Sequence, residues 1–213
     1  IDRPTGRVIY SNNIDWHNVE LGERVKKHFQ VPVYVDNDAV CATLGEFSAG
    51  AGKAHTSMLM LTLGTGVGGG LIINNKMYLG HDGYANAVGH MVIEYGGLPC
   101  TCGRKGCLES YASMTALLQR ANAAADEDKN SLLCSLRARD GALNGVNFFE
   151  AFDGGDTAAK AVFDIYTHYL ASGISSLVNI LNPEAVVIGG GVSRQGEKLL
   201  RPLRQQVVKE IYC

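Results

Sequence analysis

Several signals are absent from this sequence, and each absence removes a class of protein. There is no basic excess: 19 Lys and Arg stand against 21 Asp and Glu, for a formal net charge of −2. A nucleic-acid binder would carry a basic stripe. No block of like charges marks a tail. No apolar run reaches the roughly 20 residues that a membrane-spanning helix needs. No secretory signal opens the chain, so the expected location is the cytoplasm. No G-x-x-x-x-G-K-[ST] occurs, which excludes a P-loop of that type.

The 213 residues are 46% hydrophobic, enough for a sizeable core in one large or two small domains. The 26 glycines are many, and they gather in loops rather than in repeats, as where backbone approaches a ligand. The first residue is Ile1, and the chain stops directly after an amphipathic stretch. It therefore reads as a piece of a longer protein.

One histidine and three cysteines dominate a short stretch: His90, Cys100, Cys102 and Cys107, spaced H-x9-C-x-C-x4-C. Four such ligands close a tetrahedral zinc site. Gly103 and Gly106 let the loop turn back between the second and third thiols. A disulfide framework is the competing reading, but it belongs to secreted chains. Inert buried thiols are another, and a Pro/Gly-rich loop is a poor place to bury three. With all four ligands bound no position stays open, so the expected metal is structural. Cys41 and Cys134 sit in apolar, helix-like runs, and Cys213 is terminal.

Alternating strands and helices indicate an α/β fold. Strands are expected at 8–10, 31–35, 57–63, 77–79 and 185–188. Helices are expected over 19–29, 39–49, 113–125, 157–181 and 197–211, with 157–181 interrupted near Gly173 and 126–130 a charged break. Asn74-Asn75 reads as a hairpin turn. Gly64 to Gly70 follows a buried strand and Gly189-Gly190-Gly191 follows another. Such loops can turn backbone N–H groups toward phosphate, although glycine also serves close packing. Asp38, at a strand end, can accept a proton from an attacking hydroxyl or can simply cap the following helix. Glu109 lies two residues after Cys107, so a metal would fix it closely. The competing reading is a first-turn helix glutamate.

In order along the chain stand Val35-Asp36-Asn37-Asp38-Ala39, Leu63-Gly64-Thr65-Gly66-Val67-Gly68-Gly69-Gly70, Gly89-His90, Cys100-x-Cys102-Gly103-x-x-Gly106-Cys107-Leu108-Glu109, and Asn182-Pro183-Glu184-x-Val186-Val187-Ile188-Gly189-Gly190-Gly191. The set resembles the ROK family of repressors and sugar kinases, most of all its bacterial glucokinases. The resemblance implies an actin-like, ribonuclease-H-like two-lobe sugar kinase fold with the first lobe incomplete here. Residues 1–52 would be the remnant of the N-terminal lobe and interlobe helix, and 53–213 the C-terminal lobe with its zinc loop at 90–107. It implies Asp38 as base for the sugar hydroxymethyl group, and Asn37, His90 and Glu109 as sugar ligands. His90 would serve zinc and sugar together. Gly64, Thr65 and Gly66 would belong to a phosphate loop, and Gly189, Gly190 and Gly191 would lie by the nucleotide. The implied cofactors are Zn²⁺ and Mg²⁺ with ATP, the implied substrate a hexose, and the implied assembly a homo-oligomer, dimer or tetramer.

Two departures stand out. Most family kinases carry G-E-x-G-H, whereas this chain has Ala87 in place of that glutamate, and Asn86 is the expected partial substitute. The family's D-x-G-G-T phosphate loop occurs nowhere here and is expected upstream of Ile1, so the chain by itself is expected not to turn over ATP. The alternatives to a glucokinase are a kinase for N-acetylmannosamine or fructose, and the sugar-sensing effector domain of a ROK repressor.

Overall fold

The computed structural model describes residues 1–11 and 14–212, and Cys213 lies outside them. Two short strands, β1 (Val8–Tyr10) and β2 (His17–Val19), pair antiparallel and precede α1 (Leu21–Lys26) and α2 (Asp38–Ala49). Then come β3 (Met58–Leu63), β4 (Val67–Ile73) and β5 (Lys76–Met77). A loop containing a 3-10 turn at Val88–His90 leads to α3 (Glu109–Ala112) and α4 (Met114–Glu127). The chain continues through α5 (Leu132–Asp140), α6 (Gly145–Asp153), α7 (Thr157–Leu181), β6 (Ala185–Gly189), a 3-10 turn at Gly191–Gln195 and α8 (Glu197–Glu210).

The main sheet runs in the order β5-β4-β3-β6, with β3 antiparallel to β4 and parallel to β6. Strand β3 is hydrophobic throughout because both of its faces are covered. Leu59, Leu61 and Leu63 point into the larger core, with Phe148, Phe163, Tyr166 and Leu170 from α6 and α7. Met58 and Met60 alternate to the other face and meet Ile72 with Ala42 and Phe47 of α2. The Asn74-Asn75 hairpin forms as expected, with both residues at positive φ, the backbone that a two-residue turn with the twist of the strands requires.

Several sequence expectations need correction. Residues 31–35 form no strand among the described residues. Among the described residues none pairs with this segment in a sheet, and Tyr34 is 90% exposed. The helix expected from residue 19 starts only at Leu21, because His17–Val19 is drawn into pairing with β1. The charged break is shorter than expected, since α4 continues to Glu127. Helices α5 and α6 lie outside the expected elements. Their caps are regular: Ser131 accepts from the Cys134 N–H, Asn144 forms a capping box with Asn147, and Gly141 ends α5 in the left-handed conformation. Helix α7 is continuous through Gly173. A Cβ there would lie 2.7 Å from the Leu108 side chain, so this glycine admits Leu108 rather than breaking the helix.

The glycine run also divides. Leu63 pairs with Val67, so residues 64–66 form the turn while Gly68, Gly69 and Gly70 belong to β4. A Cβ on Gly68 would sit 2.7 Å from Ala39 Cβ, and one on Gly70 would sit 2.6 Å from Thr43 Cβ. These two glycines let α2 close onto the sheet and bring its first residue, Asp38, to the sheet's end.

Gly70→Ala is expected to lower unfolding stability by about 1–3 kcal/mol through overpacking. Gly45→Ala, on the exposed side of α2 with no atom within 4 Å of the new Cβ, should raise it by up to about 1 kcal/mol. Denaturant melts of both variants check the pair.

Candidate active site and metal centre

Asn37 ends the irregular segment before α2. Its Oδ1 accepts from the N–H groups of Ala39 and Val40, at 3.0 and 3.3 Å, so Asn37 is the helix cap. Asp38 is therefore released from that role. Its Oδ1 takes the Ala39 N–H at 2.9 Å, and its Oδ2 has no hydrogen-bond partner among the described residues. Asp36 is held from outside. The Arg3 guanidinium grips it with two bonds, Nε to Oδ2 at 2.6 Å and Nη2 to Oδ1 at 2.8 Å, while Nη1 donates to the Gly83 carbonyl. The Asp36 carboxylate in turn raises the Arg3 pKa above its usual value. Asp36 Oδ1 also accepts the Asn37 N–H at 2.7 Å, which fixes the turn that presents Asn37 and Asp38. The Arg3 contact was not legible in the sequence: 33 residues separate the partners.

Across from this turn, the ligand atoms of His90, Cys100, Cys102 and Cys107 all lie within 4.8 Å of one another. The three cysteines are free of disulfide bonds, as are Cys41 and Cys134. Cys102 Sγ and Cys107 Sγ are 3.7 Å apart, and His90 Nδ1 is 3.5 Å from Cys100 Sγ. Zinc–sulfur and zinc–nitrogen bonds of about 2.3 and 2.0 Å in a tetrahedron give edges of about 3.8 Å for S···S and about 3.6 Å for S···N. The cluster therefore fits zinc, with His90 Nδ1 as the ligand nitrogen and Nε2 left over. The loop is shaped for this closure. Gly106 has φ +79°, and its N–H donates to Leu98 O at 2.8 Å, while Cys100 N donates to Arg104 O at 2.8 Å. Burial pushes the Cys107 thiol up to about 12, whereas a backbone hydrogen bond from Arg104 lowers Cys102. Metal binding would have to displace the Cys107 proton, so uptake releases acid.

Glu109 opens α3 directly behind the cluster. Its Oε2 accepts the Val67 N–H at 3.0 Å, and its Oε1 lies 3.4 Å from Thr101 Oγ1. The turn at 64–66 is tied to the same helical junction. Met114 N–H donates to Gly64 O at 2.9 Å and Thr115 Oγ1 to Thr65 O at 2.8 Å. Gly190, at φ +86°, packs against the backbone of Leu63 where a Cβ has no room, and so lies beside that turn.

These groups line one cleft of about 910 Å³ at the carboxyl ends of β3 and β6, the usual ligand position in α/β sheets. Asn37, Asp38, Gly64, Thr65, Gly66, His90, Cys100, Glu109 and Gly190 all face it. Gly189, Gly191 and Asn86 do not line it. The Asn86 amide is committed to the Tyr78 carbonyl at 2.7 Å. Sequence reasoning missed Ser113, Thr115 and Gln119, which also line the cleft. Ordinary polar residues in a helix carry no signal of that role.

Fold and site define an α/β protein with a ligand cleft walled on one side by a Cys3His cluster. The sequence matches the ROK family over residues 1–212, and the chain belongs to that family. It is 43% identical to a glucokinase of Halalkalibacterium halodurans over 206 residues, covering 96% of this chain and 62% of the relative. It is 40% identical to a glucokinase of Thermotoga maritima, covering 99% and 67%. A xylose repressor of Bacillus subtilis is 28% identical, over 97% of this chain and 50% of the repressor. Among solved structures, a ROK family glucokinase from Streptomyces griseus, in complex with glucose and AMPPNP, superposes with a TM-score of 0.89 at 36% identity, covering 98% of this chain and 68% of that one. The fold is thus the α/β fold of ROK sugar kinases. The chain spans about 62% of the length of the first of these relatives. No helix among the described residues is long and apolar enough to cross a membrane.

One zinc per chain is expected from elemental analysis of protein purified without chelator. A value well under half an equivalent would contradict the fit of the cluster. Cys102→Ser should lose the metal and lower the melting temperature together.

Proposed function

We propose that the full-length protein phosphorylates the hydroxymethyl group of glucose or a close hexose, with ATP and Mg²⁺ as phosphoryl donor. The observation that carries this reading is the placement of Asp38. Asn37 takes over the helix cap, and the Asp38 carboxylate faces the same cleft as the 64–66 turn. A base and a glycine turn on one cleft are what transfer to a hydroxyl needs. The similarity to two glucokinases at 40% identity or more supports the same reaction.

The roles follow from the contacts. Asp38 Oδ2, without a partner among the described residues, takes the proton as the sugar oxygen attacks the γ-phosphoryl group. Asn37 spends its Oδ1 on α2, which leaves the Nδ2 group to donate to a sugar oxygen. Zinc, when bound, supplies structural closure of the 90–107 loop. His90 then offers Nε2 to the cleft, its orientation fixed through Nδ1. Glu109 offers Oε1 to ring hydroxyls. The 64–66 turn and Gly190 bracket the nucleotide phosphates. Transfer then rests on positioning and on charge neutralisation by the magnesium.

A second reading has its own support. A ROK family transcriptional regulator of known structure superposes with a TM-score of 0.86 at 26% identity, and Ala87 removes a sugar-binding carboxylate that most family kinases carry. A sensor has no use for a base, so Asp38 separates the readings.

Asp38→Asn in the full-length protein keeps the shape and the Ala39 contact and removes only the proton acceptor. Glucose affinity should stay within about two-fold, and kcat should fall about 10²–10⁴-fold. A coupled ADP assay over a panel of hexoses checks both. A variant that keeps a tenth of the activity would make Asp38 a helix residue and not the base. Parent protein that binds sugar without phosphorylating any would favour the sensor.

A further inference from the structure

Glu109 touches both walls of the cleft. Its Oε2 holds the Val67 N–H at 3.0 Å across 42 residues of sequence. Its Oε1 faces the metal loop, 3.4 Å from Thr101 Oγ1 and 4.0 Å from Cys100 Sγ. The approach of this carboxylate to the β4 backbone depends on the residue before Val67. A Cβ built on Gly66 would overlap Oε2 of Glu109, and the three atoms nearest to it all belong to the Glu109 side chain. Gly66 does not adopt positive φ, so backbone conformation gives no reason for glycine at this position. The rest of the turn is secured independently, by Met114 N–H on Gly64 O and Thr115 Oγ1 on Thr65 O.

We infer that Gly66, on the phosphate side of the cleft, is a positioning residue for the sugar: by lacking a side chain it lets Glu109 lock onto the Val67 N–H, and that bond holds the second carboxylate oxygen ready for a sugar hydroxyl. The inference rests on the hexose reading given above. A carboxylate pinned by one charge-assisted hydrogen bond has already lost most of its rotamer freedom, so a ligand meeting its other oxygen has less ordering cost to overcome. A methyl group at residue 66 would push Glu109 off Val67, and the loss would appear at the sugar although residue 66 never touches it.

The test is a double-mutant cycle in the full-length, zinc-loaded protein. Glucose affinity is measured by calorimetry without nucleotide, so direct effects on phosphate binding do not enter. Gly66→Ala is expected to weaken glucose binding about ten-fold or more, and Glu109→Ala likewise. The double variant should bind within about two-fold of Glu109→Ala, because the glycine acts only through the carboxylate. Zinc content should be unchanged in Gly66→Ala, which separates this effect from damage to the metal loop. Gly66→Ala that binds glucose within about two-fold of the parent, or single effects that multiply in the double variant, would overturn the inference.

Hydrogen exchange of the Val67 amide, followed by NMR, reads the bridge without any ligand. Exchange should be slow in the parent and about ten-fold faster or more in Glu109→Ala. Unchanged exchange would overturn the inference even if Gly66→Ala proved unable to fold. If the parent binds no hexose, the functional reading fails, and Val67 amide exchange compared among the parent, Gly66→Ala and Glu109→Ala still decides whether Glu109 holds Val67 and whether Gly66 permits it.

Discussion

The closure of residues 90–107 on a single point governs the rest of this cleft. Four ligand atoms converge within 4.8 Å, from a 3-10 turn, a hairpin-like loop and the residue before Leu108. No regular element supplies that convergence. The loop is held by short backbone bonds, such as Gly106 N–H to Leu98 O, and by Tyr111, whose hydroxyl accepts the Leu98 N–H at 2.7 Å. Leu108, fully buried, anchors the far end by filling the notch that Gly173 leaves in α7. The Cys3His cluster thus connects the large core to the cleft, and His90 and Glu109 are presented from the two ends of one closed loop.

Opposite that loop, the segment before α2 depends on charge. Two Arg3 bonds on Asp36 join the beginning of the chain to the Asp-Asn-Asp turn. The pair is only partly exposed, with side chains at 26% and 19%, so solvent screens it less than a surface ion pair. Close packing does the remaining work. Gly68 and Gly70 draw α2 onto β4, and α2 begins at Asp38. The carboxylate therefore faces the cleft as a consequence of two missing side chains on a strand.

Those same glycines mark the limit of what the sequence discloses. The Cys/His spacing was legible because metal coordination demands specific donors at short range, and the structure gathers the same four residues. Strand β3 was legible because it is apolar without interruption. Gly64 to Gly70 was not separable, since glycine for a turn and glycine for helix–strand contact look alike along the chain. Residues 31–35 have strand composition, yet composition cannot say whether a partner strand lies alongside. Helices α5 and α6 carried readable caps in Ser131, Asn144 and Gly141, although their apolar faces are short. Gly173 has the mark of a helix break, and only the position of Leu108 explains it.

The most direct test of this account is anomalous diffraction at the zinc edge from crystals of the full-length protein grown with glucose. The account requires one zinc peak with three sulfur ligands and His90 Nδ1, no bound water, and glucose hydroxyls on His90 Nε2 and Glu109. A disulfide between Cys102 and Cys107, a metal that keeps an open position, or glucose seated away from the loop would contradict it.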